Sequence, residues 1–329
     1  MDLIQGKMLE NKKIAVFGGA ILDVYIDVYI DFKRPEKAKS PETGNPLYIF
    51  KSSERLLGGA ANVANNVKAL GCEPYLVSVV GDDYSGKKFL DVMRKNNIGI
   101  ENIFLSENST TSKVRYLNRS SISNVLKEIE LLRVDNDPRI EISRDLEEKI
   151  KVCLREVLER SDALIVSDNL TGIERRELVE YAILCANRNK IPVLLDPKEK
   201  LYKGITLIKP NLKEMSYLAN MRITSNDSLK YAAKELKRLT SANYVVVTLG
   251  KGGVALFYDD KERYFSSSEN AIDVTGAGDT MISVLACCLA NDYDIEKACC
   301  LANLAASIAV KKEKTAVITR EELEKLNKL

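Results

Sequence analysis

Short apolar runs alternate with longer amphipathic stretches along most of the chain. The first run, 14–17, ends at the glycine pair Gly18-Gly19, which is typical of a buried strand entering a turn. Repeated strand–helix units of this kind predict a doubly wound, mostly parallel sheet with helices on both faces, an α/β fold. The predicted strands are 14–17, 75–80, 163–167, 191–195 and 244–250, and the predicted helices are 58–71, 86–97, 143–160, 174–189, 276–290, 295–310 and one starting at 320.

Two β-rich stretches, 24–50 and 112–135, interrupt this rhythm. We expect them to form one small sheet over the mouth of the ligand site, so that 1–329 is a single domain with a β lid. Ligands in such folds bind beyond the carboxyl ends of the parallel strands. A small sheet leaves an apolar face exposed, and we therefore expect a homodimer through the lid.

Four cations stand out on the predicted lid. Lys113, Arg115 and Arg119 have the same parity and leave one face of their strand, while Arg133 lies on the partner strand. Two interpretations stay open. The cations are consistent with a solubility device on an edge strand and equally with a negatively charged small ligand.

The most specific local pattern is the string from Asp273 to Asp279, which contains the turn Gly276-Ala277-Gly278. The glycines fall at a helix N-terminus, where free N–H groups and the helix dipole favour an anion, usually a phosphate. Asp279 in the first helical turn is a plausible base for a hydroxyl attacking that phosphate; the alternative is a simple helix cap. The apolar helical stripe that follows consists of Met281, Val284, Leu285, Cys288 and Leu289.

Composition narrows the chemistry. The net charge is +2, so nothing favours nucleic acid or a membrane surface as a partner, and no apolar run is long enough to span a bilayer. With no signal-peptide pattern, we expect a cytoplasmic protein. The seven cysteines lack regular spacing and are interpreted as small buried residues. Histidine is absent, which excludes histidine bases, triads and histidine–metal sites.

The string ending in Asp279 closely resembles the second signature of the ribokinase-like (PfkB) family of carbohydrate kinases. The segment 58–71 resembles the first signature, and the likeness extends over about 13–322. This resemblance implies a ribokinase-like fold, ATP as phosphoryl donor and Mg²⁺ as cofactor, and it leaves a monovalent-cation requirement open. It also implies that Asp279 is the catalytic base and that the amides of Gly276, Ala277 and Gly278 form an anion hole.

The resemblance also implies a nucleotide side. Asn211 and Glu214 match the family's N-x-x-E motif, which orders magnesium largely through water, and 248–253 matches a nucleotide-side loop. The residues implied for the nucleotide are Asn211, Glu214, Thr248, Gly250, Gly253, Asp273 and Asn303.

Within the family the chain is most similar to D-glycero-β-D-manno-heptose-7-phosphate kinases. That likeness implies phosphorylation of heptose 7-phosphate at O1, which gives the 1,7-bisphosphate for ADP-heptose and lipopolysaccharide-core precursors. The residues implied for the substrate are Asp23, Gly58, Gly59, Asn62, Lys113, Arg115, Arg133, Asp168 and Lys198.

The chain departs from the heptose-kinase pattern at four places. Gly19 replaces an aspartate, Ala38 replaces an arginine, 168–172 lacks a tyrosine and a lysine, and 311–315 lacks two glycines. These changes bear on the particular sugar more than on the kinase chemistry.

Other functions fit parts of this pattern. Another ribokinase-like sugar or sugar-acid kinase is the nearest alternative, and a non-catalytic sugar- or nucleotide-sensing module is the alternative from a different class. Loss of the base would mark such a module, and Asp279 is present. A dinucleotide-binding dehydrogenase would need G-x-G-x-x-G after the first strand, which Gly18-Gly19 does not provide. The H-x-G-H motif of a fused nucleotidyltransferase needs histidine, so we expect a single-activity kinase.

Overall fold

The computed structural model describes residues 11–31, 38–122, 125–266, 276–312, 314 and 317–327; for 119–122, 125–128 and 326–327 it describes the backbone only. The strands are β1 (Lys13–Gly18), β2 (Ala20–Tyr29), β3 (Ile49–Gly59), β4 (Glu73–Gly81), β5 (Ile103–Ser106), β6 (Ser112–Ile122), β7 (Val125–Asn136), β8 (Ala163–Ser167), β9 (Val193–Asp196), β10 (Leu207–Ile208), β11 (Tyr244–Thr248), β12 (Val254–Tyr258) and β13 (Lys261–Phe265). The helices are α1 (Ala60–Ala69), α2 (Tyr84–Lys95), α3 (Arg144–Leu158), α4 (Arg176–Arg188), α5 (Leu212–Leu218), α6 (Asn226–Thr240), α7 (Ala277–Ala290), α8 (Ile295–Ala309) and α9 (Arg320–Asn327).

The larger sheet has nine strands in the order β13-β12-β11-β10-β9-β8-β1-β4-β5. The strands from β11 to β5 pair in parallel, and β12 and β13 add an antiparallel edge. Alternate residues of β1 enter opposite cores, Ile14 and Val16 on one face, Ala15 and Phe17 on the other. Helices α1, α2, α7 and α8 cover the first face, and α3 to α6 cover the second. The predicted doubly wound α/β fold is confirmed.

A smaller sheet with the order β3-β2-β6-β7 forms the predicted β lid. Its central pair, β2 and β6, is parallel, while β3 and β7 pair antiparallel on either side. In the part of the chain that the structure describes, no helix is both long and apolar enough to cross a membrane.

The predicted start of the helix at 58 is wrong. Gly58 and Gly59 complete β3, and α1 begins at Ala60. A Cβ on Gly58 would lie 2.3 Å from Oδ2 of Asp23, and Gly59 has φ 57° and ψ −138°, a conformation that favours glycine. Most of β3 was not predicted, because the polar run 51–55 lacks the alternation of apolar and polar residues that marks a strand.

The two faces of the lid differ in polarity. Asp23, Arg115 and Arg133 share one face, because Tyr25, two residues from Asp23, pairs with Arg115 and Arg115 pairs with Arg133. Val114 and Tyr116 lie on the opposite face with their neighbours on β7, Val134 and Leu132, which are 49% and 55% exposed. The lid therefore carries Asp23, Arg115 and Arg133 on one face and the solvent-exposed apolar side chains of Leu132 and Val134 on the other.

Candidate active site

The carboxyl edge of the larger sheet brings together side chains that are far apart in sequence. Asp168 follows β8, Asp196 ends β9, Lys209 follows β10 and Thr248 ends β11. Asn211 and Thr248 form an isolated parallel bridge at this edge. Because these strands are parallel and adjacent, the side chains at their ends meet at one rim, as expected for the fold. Asp168, Asn211 and Thr248 were predicted from the sequence.

Asp279 lies in the first turn of α7, directly after the glycine turn. Gly276 caps that helix with φ 81°, a left-handed conformation suited to glycine, and as a glycine it offers no side chain to the first amides of the helix. Asn62 of α1 donates a hydrogen bond from Nδ2 to Oδ2 of Asp279 at 2.7 Å. Burial raises the pKa of Asp279 to about 6, while the Asn62 bond opposes that rise. A carboxyl with this pKa is mostly ionised at pH 7 and is suited to accept a proton.

A buried ammonium borders the glycine turn. Lys209 is 3% exposed, and its Nζ lies 3.0 Å from Oδ1 of Asp196. A Cβ built on Gly278 would lie 3.4 Å from the same Nζ. The positive charge of Lys209 and the N-terminus of α7 therefore converge on one region, an arrangement that favours an anion.

Asn211 and Glu214 form a capping box at the start of α5. The Asn211 side chain accepts from the amides of Lys213 and Glu214 at 2.9 Å each, and the Asn211 amide donates to Glu214 Oε2 at 2.8 Å. The other carboxylate oxygen, Oε1, accepts from Lys198 Nζ. Burial acts to lower the pKa of Lys198, yet Asp196 and Glu214 outweigh it, so the pKa is raised. The structure thus places Lys198 beside the N-x-x-E pair.

The acidic side chains at this rim bear on the predicted magnesium site. Among the described residues, no three acidic or cysteine side chains converge on a point that could hold a metal ion. Asp196 and Glu214 are paired with Lys209 and Lys198. This donor set suits an ion that keeps part of its water shell and arrives with nucleotide phosphates, which is the usual behaviour of magnesium. The side chains present therefore fit the water-mediated binding of magnesium that the family resemblance implies for Asn211 and Glu214.

On the lid, Arg115 contacts Asp23, one of the residues predicted to bind the sugar. Arg115 donates from Nη1 to Asp23 Oδ1 at 2.6 Å, and the side chains are only 11% and 6% exposed. The Arg115 guanidinium also stacks over the ring of Tyr25, 5.2 Å from its centroid. Burial acts to lower the pKa of Arg115, but the bond to Asp23 raises it overall, so the arginine stays charged.

Arg133 lies opposite Arg115 in the β6–β7 pairing and binds a different carboxylate. Its Nε and Nη2 each donate to Asp135 at 2.7 Å, a bidentate pair that is 41% and 37% exposed. This pair raises the pKa of Arg133 and lowers the pKa of Asp135. Lys113 lies on the same strand face, in register with Asp23 and Asp135. The Arg119 side chain lies outside the described residues.

The altered loop 168–172 folds around buried carboxyl groups. Asp168 is 3% exposed, its Oδ1 accepts from the Leu170 amide at 3.1 Å, and its Oδ2 has no partner within the described chain. Burial raises the pKa of Asp168 and that of Glu174. Glu174 accepts from the Gly19 amide at 2.7 Å. A Cβ on Gly19 would lie 2.1 Å from Oγ1 of Thr171 and 2.8 Å from Oε1 of Glu174, so these two side chains fill the position that departs from the heptose-kinase pattern.

Three of the remaining nucleotide-side predictions, Gly250, Gly253 and Asn303, lie within the described residues. The loop after Thr248 contains Gly250 and Gly253 with φ of 59° and 82°, conformations that favour glycine. Asn303 of α8 donates to the Ser266 carbonyl at 3.0 Å. Asp273 lies outside the described residues. The nucleotide roles of these residues stay predictions.

Sequence reasoning missed three buried polar residues of this region. Lys209 ends an apolar run just before Asn211, and that position at a strand end was the available signal. Asn66 and Thr280 are both 0% exposed and connect α1 to α7 through a hydrogen bond of 3.0 Å. No motif singled them out, because helix-to-helix contacts depend on packing that periodicity alone does not give.

Comparison with known proteins identifies the family. The model of the pfkB family carbohydrate kinases matches residues 11–321. The Bifunctional protein HldE of a Nitratiruptor species is 34% identical over 304 residues, 92% of this chain but only 63% of that protein's length.

Solved structures agree on the fold. The Arabidopsis thaliana ribokinase complexed with ribose and ATP is 21% identical with a TM-score of 0.72, covering 97% of this chain and 99% of that one. The Escherichia coli phosphofructokinase-2 in complex with fructose-6-phosphate is 18% identical with a TM-score of 0.74, covering 97% and 98%. The fold is ribokinase-like, as predicted, and the chain belongs to the pfkB family of ATP-dependent carbohydrate kinases.

Proposed function

We propose that this carbohydrate kinase transfers the γ-phosphoryl group of ATP to a sugar that already carries a phosphate. The substrate we propose is D-glycero-β-D-manno-heptose 7-phosphate, phosphorylated at O1 to give the 1,7-bisphosphate for ADP-heptose and lipopolysaccharide-core precursors. The 34% identity to a protein named HldE supports this choice, although the chain spans about 63% of that protein's length. The observation that carries the proposal is the buried Arg115–Asp23 ion pair at 2.6 Å.

The substrate end explains why a phosphorylated sugar is proposed. Arg115 and Arg133 lie directly opposite each other on the charged face of the lid, where like charges repel. Each now has a carboxylate partner, Asp23 and Asp135. A sugar phosphate would supply oxygens that suit the guanidinium fork, and it would release Asp23 to accept hydroxyl groups of the sugar. A neutral sugar would offer Arg115 only uncharged oxygens in exchange for Asp23, and these are weaker acceptors than phosphate oxygens.

The chemical step follows from the catalytic end. Asp279 takes the proton of the acceptor hydroxyl while that oxygen bonds to the γ-phosphorus of ATP. The bond from the γ-phosphorus to the β–γ bridging oxygen breaks, and ADP leaves with the electron pair. The amides of Gly276, Ala277 and Gly278, with the ammonium of Lys209 beside them, would stabilise charge on the transferred group.

The nucleotide side supplies positioning. Magnesium, when bound with ATP, neutralises phosphate charge, and Asn211 and Glu214 would hold it largely through water. Thr248, Gly250, Gly253, Asp273 and Asn303 are proposed to line the nucleotide. Lys198 forms an ion pair with Glu214. This pair supports a role for Lys198 near the transferred phosphate, whereas the family resemblance implied a role at the phosphate of the sugar.

We further propose that the protein is a homodimer through the apolar face of the lid. Leu132 is 55% exposed there, and Val134 on the same face is 49% exposed. Sedimentation velocity at micromolar concentration should show a dimer for the wild type and a monomer for Leu132→Glu. Val152→Glu is the matched control, because Val152 is 45% exposed and lies on α3, which packs against the larger sheet and not against the lid. A monomeric wild type would contradict the proposal.

A coupled ADP-release assay over sugars and sugar phosphates tests the function. We expect heptose 7-phosphate to give the highest kcat/KM, well above unphosphorylated heptose. A fructose or ribose phosphate preferred over the heptose would keep the kinase and overturn the sugar. Equal kcat/KM on the phosphorylated and unphosphorylated heptose would show that Arg115 and Arg133 do not bind a substrate phosphate. The protein would then be a kinase of neutral sugars.

A further inference from the structure

A chain of buried polar side chains runs from the interior of the α1–α7 contact to Asp279. Thr280 Oγ1 donates to Asn66 Oδ1 at 3.0 Å, and Asn66 Nδ2 faces two oxygens of Asn62, O at 2.9 Å and Oδ1 at 3.4 Å. Asn62 Nδ2 then donates to Asp279 Oδ2 at 2.7 Å. Asn62, Asn66 and Thr280 are each 0% exposed, so water does not compete for the bonds among these three residues.

The donor-to-acceptor direction of this series of hydrogen bonds is fixed by the side chains that form it. Turning the Asn66 amide over would place its oxygen against the two oxygens of Asn62 and its NH₂ group against the Thr280 hydroxyl. The same reversal at Asn62 would place an oxygen against the Asp279 carboxylate. Every donor therefore points toward Asp279, and the hydroxyl of Thr280 is the far end that holds Asn66 in this orientation.

We propose that Asn66 and Thr280 are positioning residues that hold the Asn62 amide on the carboxylate of Asp279. The proposal rests on the proposed role of Asp279 as the base, and neither residue touches the substrate in it. Two helices from distant parts of the chain, α1 and α7, thereby set the direction and the proton affinity of the base through one line of hydrogen bonds.

The other groups that face Asp279 come from the sheet. Asp196 at the end of β9 raises the pKa of Asp279, and Lys209 after β10 and Lys198 after β9 lower it. None of these belongs to the α1–α7 chain, and a change at Thr280 leaves their charges in place. A shift in the titration of Asp279 after such a change would therefore report the hydrogen-bond chain alone.

The experiment compares Thr280→Val with Ser283→Ala. The valine keeps the shape of threonine but removes the donor to Asn66. Ser283 is the matched control: it is also 0% exposed on α7, and its hydroxyl bonds the backbone oxygens of Val63, at 3.1 Å, and Asp279, at 2.7 Å, outside the amide chain. Thr280→Ser restores the hydroxyl and should restore the wild-type profile.

The readout is the pH dependence of kcat/KM for the sugar phosphate, which reports the free enzyme. Losing part of a charge-assisted hydrogen bond should move the acid limb of Thr280→Val upward by about 0.5 to 1 pH unit. Relative to wild type, kcat/KM then falls about two- to five-fold at pH 6 and hardly changes at pH 8. The ionisations of ATP and of the sugar phosphate are common to all variants and cancel in the comparison.

Two outcomes overturn the proposal. One is an acid limb of Thr280→Val that coincides with that of Ser283→Ala while both lower the melting temperature alike, since only packing would then be involved. The other is a Thr280→Ser variant that stays shifted. Infrared difference titration of the Asp279 carboxyl, assigned with Asp279→Asn, gives the same comparison without turnover. A protein inactive on every sugar phosphate would refute the proposed function and leave this test intact.

Discussion

The two ends of the proposed site are built on different principles. At the catalytic end, Asp279 is held between α1 and α7 by the neutral amide of Asn62 at 2.7 Å, and Asn62, Asn66 and Thr280 behind it are fully buried. At the lid end, charged pairs hold the arginines, and the Arg133–Asp135 pair is 41% and 37% exposed. Neutral donors on packed helices fix one geometry, whereas the charged pairs of the lid can exchange their carboxylates for the charged oxygens of a ligand. The chemistry thus depends on rigidity and the substrate choice on exchangeable charge.

The largest expected effect breaks the catalytic end. Asp279→Asn keeps the shape of the side chain and an oxygen that can accept from Asn62, but it removes the base. We expect kcat to fall by about 10²- to 10⁴-fold with little change in ATP affinity. Steady-state kinetics and nucleotide titration measure the two quantities. A variant that retains more than about a tenth of the wild-type kcat would show that Asp279 only caps α7.

A smaller effect is expected at the lid. Arg115→Ala removes a charge-assisted contact to the proposed phosphate, so KM for the sugar phosphate should rise by about ten- to a hundred-fold. KM for ATP should barely move, and kcat/KM for the unphosphorylated sugar should rise because Asp23 is released. The matched control is Arg238→Ala on α6, an arginine paired with Glu235 at 2.6 Å far from the lid. Equal losses on both sugars would contradict the exchange of partners.

The smallest effect is expected on stability. It measures how much the ionised carboxylate of Asp279 lowers the free energy of unfolding. The folded-state pKa of Asp279 is about 6, raised from 3.8, so its ionised form opposes folding. The carboxyl contributes its full stability below the unfolded-state pKa and loses it as pH rises through the folded one. Asp279→Asn should therefore raise the free energy of unfolding by up to about 3 kcal/mol at pH 8.

That gain should shrink as pH falls, be small at pH 4 and vanish below about pH 3, where the carboxyl is protonated in both states. Urea denaturation at pH 4, 6 and 8 measures it, with Asp145→Asn as a surface control, since the Asp145 side chain is 78% exposed. A variant less stable than wild type at pH 8 would show that Asp279 stabilises the fold and is not held there at a cost.

Most of the larger sheet could be predicted because a two-face buried strand leaves a strong signal. The runs at β8 and β11 gave their strands almost to the residue. The two-residue strand β10 and the antiparallel edge at β12 and β13 were not predicted, since so short a strand carries no period and an edge depends on pairing partners. The small sheet was predicted from its broken rhythm, although the polar part of β3 was not.

The site was predictable where motifs are local and hidden where it depends on packing. Asp279 and its glycine turn form one string, and Asn211 and Glu214 another. The Arg115–Asp23 pair joins residues 92 positions apart, and the Asn62–Asp279 bond joins residues 217 apart. Neither distance leaves a trace in the pattern of one sequence. Lys209 was hidden for the same reason, because its neighbours Asp196 and Gly278 come from other elements.

The central claim is that Asp279 directs an ATP-derived phosphoryl group onto O1 of a sugar phosphate. Phosphorus NMR of heptose 7-phosphate incubated with ATP, magnesium and the protein tests it most directly. We predict a new anomeric 1-phosphate resonance, formed in step with ADP, while the 7-phosphate signal persists and Asp279→Asn gives no such product. ADP formation without that resonance, or the same resonance at the same rate with Asp279→Asn, would contradict the account.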